Sequence, residues 1–270
     1  MLPSIQTAAP AATPNAIEAF DRKLQELADW SSIKTRCKPE IGTLEDYRIS
    51  TTLGLVEAHD YLETQAHLNP NMIEIRQAHA LAFGDAERNV GAPRKDGELA
   101  TFGGSLGAEA QRVPIEHERL KAEMDEIMSQ ATTGPQKCAA LAFYHARFIG
   151  IHPFLDGNGR VGRAILAAQA ARTLGDPLPL MRAIAEDKKG YIAASEASRK
   201  SNDLCGLTTL IGKSYGITIP QERIESPFAI ASRRMLNLGD IKPLAQERAM
   251  ARTGAGMPLA SRSQSFEMSM

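Results

Sequence analysis

Twelve consecutive residues, His152 to Arg163 (HPFLDGNGRVGR), gather the side chains best able to do chemistry. His152 ends a run in which Cys138, Leu141, Ala142, His145, Phe148 and Ile149 recur at helical spacing, so packing should fix its ring. A fixed imidazole titrating near neutrality is the usual general base. Pro153 stops that helix, because proline disfavours the α conformation in the residue before it. Asp156 follows in a tight loop, where one carboxylate can hold a hard cation such as Mg²⁺. Gly157, Asn158 and Gly159 make the loop-to-helix transition. Two glycines there let the backbone approach a ligand and aim its N–H groups at it, at a helix N-terminus that favours anions. Arg160 and Arg163 fall in the first turn or so, on roughly the same side, where the helix dipole disfavours cations by roughly 0.3–1 kcal/mol each. Two guanidinium forks in that position suit an anion bound between them. A base, a metal carboxylate, an amide cradle and two arginines describe a nucleotide-phosphate site with a nucleophile to activate.

Other readings of the same residues are weaker. Gly157, Gly159 and Gly162 spell the dinucleotide-binding G-x-G-x-x-G, but that turn follows a strand, and here the preceding stretch has helical period. A Walker A loop needs GK[ST], which is absent. His152 alone is more often a satisfied core histidine, and only the joint pattern reverses those odds. His145 and His152 share a helix face without a third ligand or an HExxH, which argues against zinc.

The elements that must carry these residues read as helices. IEAFDRKLQELADW has helical period from Ile17, and a break follows at Lys38-Pro39. GTLEDYRISTTLGLVEAHDYLETQAHL reads as one or two amphipathic helices, stopped by Asn69-Pro70-Asn71. MIEIRQAHALAF is a short helix ended by Gly84. From Asp85 to Val113 the apolar period fails and glycines accumulate, which predicts a long loop with a hairpin at Lys95-Asp96-Gly97. Pro114 opens a helix, and Thr133-Gly134-Pro135 opens the one that ends at His152. NGRVGRAILAAQAARTLG continues the motif as a helix. PLMRAIAEDKKGYIAASEASRK and LCGLTTLIGKSYG predict two more, with a modest helix around Pro220–Asn237. The fold class expected is all-α.

Composition narrows the function classes. The 270 residues carry 31 Lys plus Arg against 32 Asp plus Glu, a formal net charge of −1. That balance excludes a broadly basic nucleic-acid binder and an acidic disordered tail. Aromatic residues are 5%, low for a β-sandwich. Cys37, Cys138 and Cys205 are too few and scattered for a disulfide framework, so a reducing, cytoplasmic compartment is expected. No apolar run approaches the ~18 residues of a membrane span. MLPSIQTAAPAATPNA lacks the basic and apolar regions of a secretory signal and reads as a disordered Ala/Pro/Thr tail, a composition that also suits secretion routes using unstructured N-termini.

The twelve residues resemble the HPFx[DE]GNGRxxR motif of Fic-domain proteins (the Fic/Doc superfamily), with every specified position matched. The sibling Doc replaces the second glycine and first arginine, and the phosphocholine-transferring variant has Ala at the position of Gly157. The resemblance covers residues 72–216. It implies a Fic-type helical bundle with a short β-hairpin flap before the motif helices. It divides the chain into a tail and helix over 1–35, a helical extension over 36–71, the core over 72–216 and a C-terminal helix and mobile tail over 217–270. It implies protein adenylyltransferase activity, moving AMP from ATP to a Thr, Ser or Tyr hydroxyl of a target protein, in a bacterial-type toxin or an effector secreted into a host cell. His152 would deprotonate the hydroxyl and Phe154 would anchor the loop. Asp156 would hold Mg²⁺. Gly157, Asn158 and Gly159 would cradle phosphate, with Arg160 and Arg163 on the outer phosphates. A flap at about 88–104 would hold the target by strand pairing. Tyr191 would line the adenine pocket or serve as an ordinary core tyrosine, the two being equally weighted.

The pattern departs from the family in its inhibitory motif, [ST]xxxE[GN]. Ser105/Glu109, Thr218/Glu222 and Ser263/Glu267 fit the first part, and none is followed by Gly or Asn. Glu222 and Glu267 are the candidates for inhibition in cis, beside a separate antitoxin-like inhibitor or no such control. Two other functions stay open: removal of AMP or transfer of another phosphate-linked group at the same site, and a catalytically silent nucleotide-binding module. The target, its modified residue and the oligomeric state are not legible.

Overall fold

The computed structural model describes residues 30–88, 90–98, 100–102, 105–200 and 203–220. The expected N-terminal tail, the helix expected from Ile17 apart from its last residue, Trp30, and the candidates Glu222 and Glu267 lie outside them, as does nearly all of the helix expected over 220–237. The described elements run α1 (Trp30–Lys34), α2 (Leu44–Thr64), α3 (Met72–Phe83), β1 (Thr101–Phe102), β2 (Ser105–Leu106), a 3₁₀ turn (Ala110–Arg112), α4 (Val113–Gln130), α5 (Gly134–Ile151), α6 (Asn158–Thr173), α7 (Leu178–Glu186), α8 (Lys188–Lys200) and α9 (Cys205–Ser214). The fold is all-α in its helical framework, as the periodicity predicts.

Helix starts follow local chemistry. Thr43 with Asp46, Asn71 with Glu74, and Thr133 with Gln136 form capping boxes at α2, α3 and α5. Pro114 and Pro135 sit in first turns, where no intrahelical N–H is lost. The helix α5 is buried on nearly every side, from Cys138 through Phe143, Tyr144 and Phe148 to Ile151. It is the centre of the bundle and packs on α4, α6, α8 and α9. The helix α2 packs on α3 and α6, and its Leu55, Ala58 and Leu62 join the same core. Burying one such leucine is worth ~1.5–3 kcal/mol.

Two expectations need correction. The stretch from 178 to 200 is two helices, because the Asp187 carboxylate accepts the Gly190 N–H at 2.9 Å and breaks the run. The hairpin flap over 88–104 is not seen as such. Lys95 to Glu98 closes a turn, with Gly97 at φ +82, but among the described residues no strands flank it. Pairing is confined to two residues a side, Thr101 with Leu106 and Phe102 with Ser105. The rest of the segment is irregular, since few apolar side chains are available to bury a ladder. Among the described residues, no helix is long and apolar enough to cross a membrane.

Candidate active site

His152 lies at the end of α5 with φ +53, the one non-glycine residue in left-handed backbone among the described residues. That conformation costs an L-residue about 1–2 kcal/mol and must be held. Arg94 holds it. Its Nε donates to the His152 carbonyl (2.8 Å), its Nη2 to the carbonyls of Ile151 (3.3 Å) and Ala108 (2.5 Å), and its Nη1 to Glu98 O (2.9 Å). The Arg94 N–H also donates to Pro153 O at 2.9 Å. One buried guanidinium thus satisfies the carbonyl end of the helix and ties the 94–108 loop to it. Gly107 passes so close that a Cβ there would stand 2.8 Å from His152 Cβ. Nδ1 of His152 donates to Ile149 O at 3.2 Å, which places the basic lone pair on Nε2. Burial pushes this imidazole down to about 4, against the opposing pull of the Ile149 carbonyl, with the Arg94 charge adding to the fall. At neutral pH the ring is an unprotonated base.

The motif loop is clamped by its own asparagine. Asn158 Oδ1 accepts the Phe154 N–H at 2.9 Å, and its Nδ2 donates to Phe154 O at 2.8 Å. The Asn158 side chain is therefore committed to the loop, and what it offers an anion is its backbone N–H. Phe154 is buried, as expected of an anchor, its ring 4.0 Å from that of His79. Gly157 caps α6 at φ +79, and a Cβ there would come within 2.5 Å of the Phe83 ring. No side chain caps this helix, in contrast to α2, α3 and α5, so its first N–H groups are available to a ligand.

The two arginines part company. Arg160 donates to the Tyr47 hydroxyl (2.9 Å) and to Asp156 Oδ2 (3.3 Å), and stacks 4.2 Å above the Phe83 ring. Arg163 curls back over Gly159, near the helix start, and lies beside the Tyr191 hydroxyl. The expectation of an anion gripped between the two is corrected accordingly: three-residue spacing put their Cα atoms on one side, but different partners draw the long side chains apart. Tyr191 is likewise a core residue, 5% exposed, with its hydroxyl donating to His145 Nε2 at 2.7 Å. His145 Nδ1 donates in turn to Gly162 O at 3.2 Å. Burial raises the Tyr191 phenol, and Arg163 opposes that rise.

Asp156 is half-exposed and faces a cavity of about 460 Å³ walled by Arg36, Glu87, Pro93, Phe154 and Leu155. Burial pushes its carboxyl up, but Arg160, Arg36 and the Gly157 N–H outweigh that and hold it below the usual carboxylate range. Arg36 Nη2 approaches Asp156 Oδ2 at 2.5 Å, and its Nε lies 3.4 Å from Glu87 Oε2. Tyr47 donates to Glu87 Oε1 at 2.5 Å. Beneath the loop, His79 accepts the Gly91 N–H on Nδ1 (3.0 Å) and donates from Nε2 to Asp156 O (3.1 Å). Sequence reasoning missed Arg36, Tyr47, His79, Glu87 and Arg94. The motif carries no signal for them, since they reach it from distant segments.

With this geometry in place, the chain can be set beside known proteins. Residues 70–170 match the model of the Fic/DOC family. A stretch of 61 residues is 43% identical to a Fido domain-containing protein of Dictyostelium discoideum, over 23% of this chain and 41% of that protein. Among solved structures, a Fic family protein from Desulfovibrio desulfuricans G20 superposes with a TM-score of 0.54 at 17% identity, over 81% of this chain and 74% of that one. Fic-1 from C. elegans gives 0.53 at 16% identity, over 89% and 64%. BepC, a translocated effector of Bartonella tribocorum solved with bound AMPPNP, gives 0.51 at 14%, over 69% and 92%. Over residues 70–170 the chain is therefore similar to the Fic/DOC family, a family of AMPylators.

Proposed function

We propose that this chain is a protein adenylyltransferase that moves AMP from ATP to a Ser, Thr or Tyr hydroxyl of another protein. The observation that carries the reading is the His152 imidazole, unprotonated and fixed in left-handed backbone beside an uncapped helix start and an ionised Asp156. The family match and the AMPPNP-bound state of BepC support the choice of nucleotide. In the reaction, Nε2 of His152 takes the proton of the target hydroxyl. The hydroxyl oxygen bonds to the α-phosphorus, and the bond from that phosphorus to the bridging oxygen of pyrophosphate breaks. Charge building on the phosphoryl oxygens meets the N–H groups of Asn158, Gly159 and Arg160, which need no reorganisation. Arg163, over Gly159, is placed for the outer phosphates.

Asp156 is the residue that would hold Mg²⁺. A single ionised carboxylate fits this ion, which usually binds through one or two carboxylates with phosphate oxygens and water. Bound there, Mg²⁺ would neutralise charge on the α- and β-phosphates. The target segment would lie along the largely irregular 88–104 segment, pairing backbone to backbone, with toxin or effector action as its consequence. Incubation of the chain with α-labelled ATP and a cell lysate tests the reading. A labelled protein band is expected, reduced by about 10²–10⁴-fold in His152→Ala. Tight nucleotide binding without label in either protein would overturn it in favour of a silent nucleotide-binding module.

A further inference from the structure

Arg36 stands on the metal carboxylate, although it lies 120 residues away in sequence and outside the residues of the family match. Its place is built by backbone pairing. Arg88 N–H donates to Arg36 O (3.0 Å), Lys38 N–H donates to Ala86 O (2.9 Å), and Cys37 bridges Glu87. Its guanidinium spans two carboxylates, Asp156 Oδ2 at 2.5 Å and Glu87 Oε2 at 3.4 Å. Arg160 shares Oδ2 but is also anchored on Tyr47 and Phe83, so it keeps a home if that oxygen is taken. Arg36 has a different alternative, Glu87. The cluster of Arg36, Arg160, Asp156 and Glu87 is neutral as it stands. A divalent cation added alone would leave it with two surplus positive charges.

We propose that Arg36 is a further residue of the nucleotide site, the resident cation on Asp156 that a divalent metal must displace. This rests on the reading of Asp156 as the metal carboxylate. The metal alone therefore binds weakly, and the metal bound to a triphosphate binds well, because the phosphate charge offsets the surplus. The displaced guanidinium stays tethered at Glu87, on the cavity wall where triphosphate oxygens can accept from it.

Mn²⁺ binding to the full chain, followed by electron paramagnetic resonance without nucleotide, tests this apart from catalysis. Arg36→Gln should tighten Mn²⁺ binding by about two- to fivefold, the scale of a partly exposed ion pair. Arg36→Lys, which keeps the charge, should bind like the parent. Thermal melts confirm that each variant is folded, with Arg36→Lys as the variant of least disturbance. Unchanged or weaker Mn²⁺ binding in folded Arg36→Gln overturns the proposal. Binding that survives Asp156→Asn intact overturns it too, by moving the metal elsewhere. Neither result touches the His152-dependent labelling that decides the adenylyltransferase reading.

Discussion

Two buried polar regions flank the central helix α5, and they are built on opposite terms. Under the motif loop, the polar atoms of His79, Asn158 and His145 are spoken for by Gly91, Asp156, Phe154, Gly162 and Tyr191. In the seam between α4 and α5, His117 is fully buried, and among the described residues neither ring nitrogen has a hydrogen-bond partner. Arg147 Nε and Glu123 Oε2 are unpartnered there as well, while Glu116 is shared between Arg112 and Arg147. A satisfied network admits one arrangement and so fixes a loop. A half-satisfied one costs stability without fixing anything. The chain thus spends its directional chemistry beneath the motif, as a site needing sub-ångström placement requires.

Acid has the largest effect, and it reaches both regions. Burial holds His79, His117, His145 and His152 at about 4 in the folded chain, against an ordinary 6.5. Between those values the unfolded chain binds more protons. The histidine contribution to stability is therefore full above pH 6.5, falls as pH drops toward 4, and levels off below, where carboxylates such as Asp156 take over the loss. Each histidine contributes a slope of at most about 1.4 kcal/mol per pH unit. Urea midpoints should drop sharply from pH 7.5 to 5.5, and equal midpoints would contradict the buried neutral imidazoles. Labelling rates should be flat between pH 7.5 and 6.5, because His152 stays unprotonated there.

The clamp on the loop comes next in size. Asn158→Ala leaves the Phe154 N–H and carbonyl, both buried, without partners, a loss of about 2–3 kcal/mol. Labelling should fall by at least the amount expected of a misplaced base, about 10²-fold, since His152 and the α6 start are joined through Phe154. A variant with full labelling and a lowered melting temperature would show that the clamp serves stability alone.

What was legible divides along the same line. The motif is contiguous, so His152, Asp156, the glycines and both arginines could be found by spacing. Helix starts were legible because Thr43, Asn71 and Thr133 are local caps. The left-handed His152 was half-legible, since Pro153 excludes the α conformation before it but does not choose its replacement. Arg36, Tyr47, Glu87 and Arg94 were not, because pairing across the fold leaves no local period. Where the side chains of Arg160 and Arg163 end was not legible either, because spacing fixes where a Cα sits on a helix, and neighbours decide where a long side chain goes.

The smallest effect is the sharpest test of the comparison, because its sign is at stake. His117→Leu removes a buried ring whose two nitrogens are unpartnered and keeps an apolar volume in its place. It should leave stability unchanged or raise it by about 1 kcal/mol at pH 7, since no hydrogen bond is lost and a desolvated polar group is. It should also shallow the acid slope by one histidine's share, because the ring that burial, with help from Lys121, keeps neutral is gone. His79→Leu makes the same chemical change in the other region and should cost about 2 kcal/mol, as the Gly91 N–H and Asp156 carbonyl lose their partner. Urea unfolding of both variants at pH 7.5 and 5.5 decides the matter. Equal losses in the two would mean that the seam is as well satisfied as the loop, and that the two regions do not differ in kind.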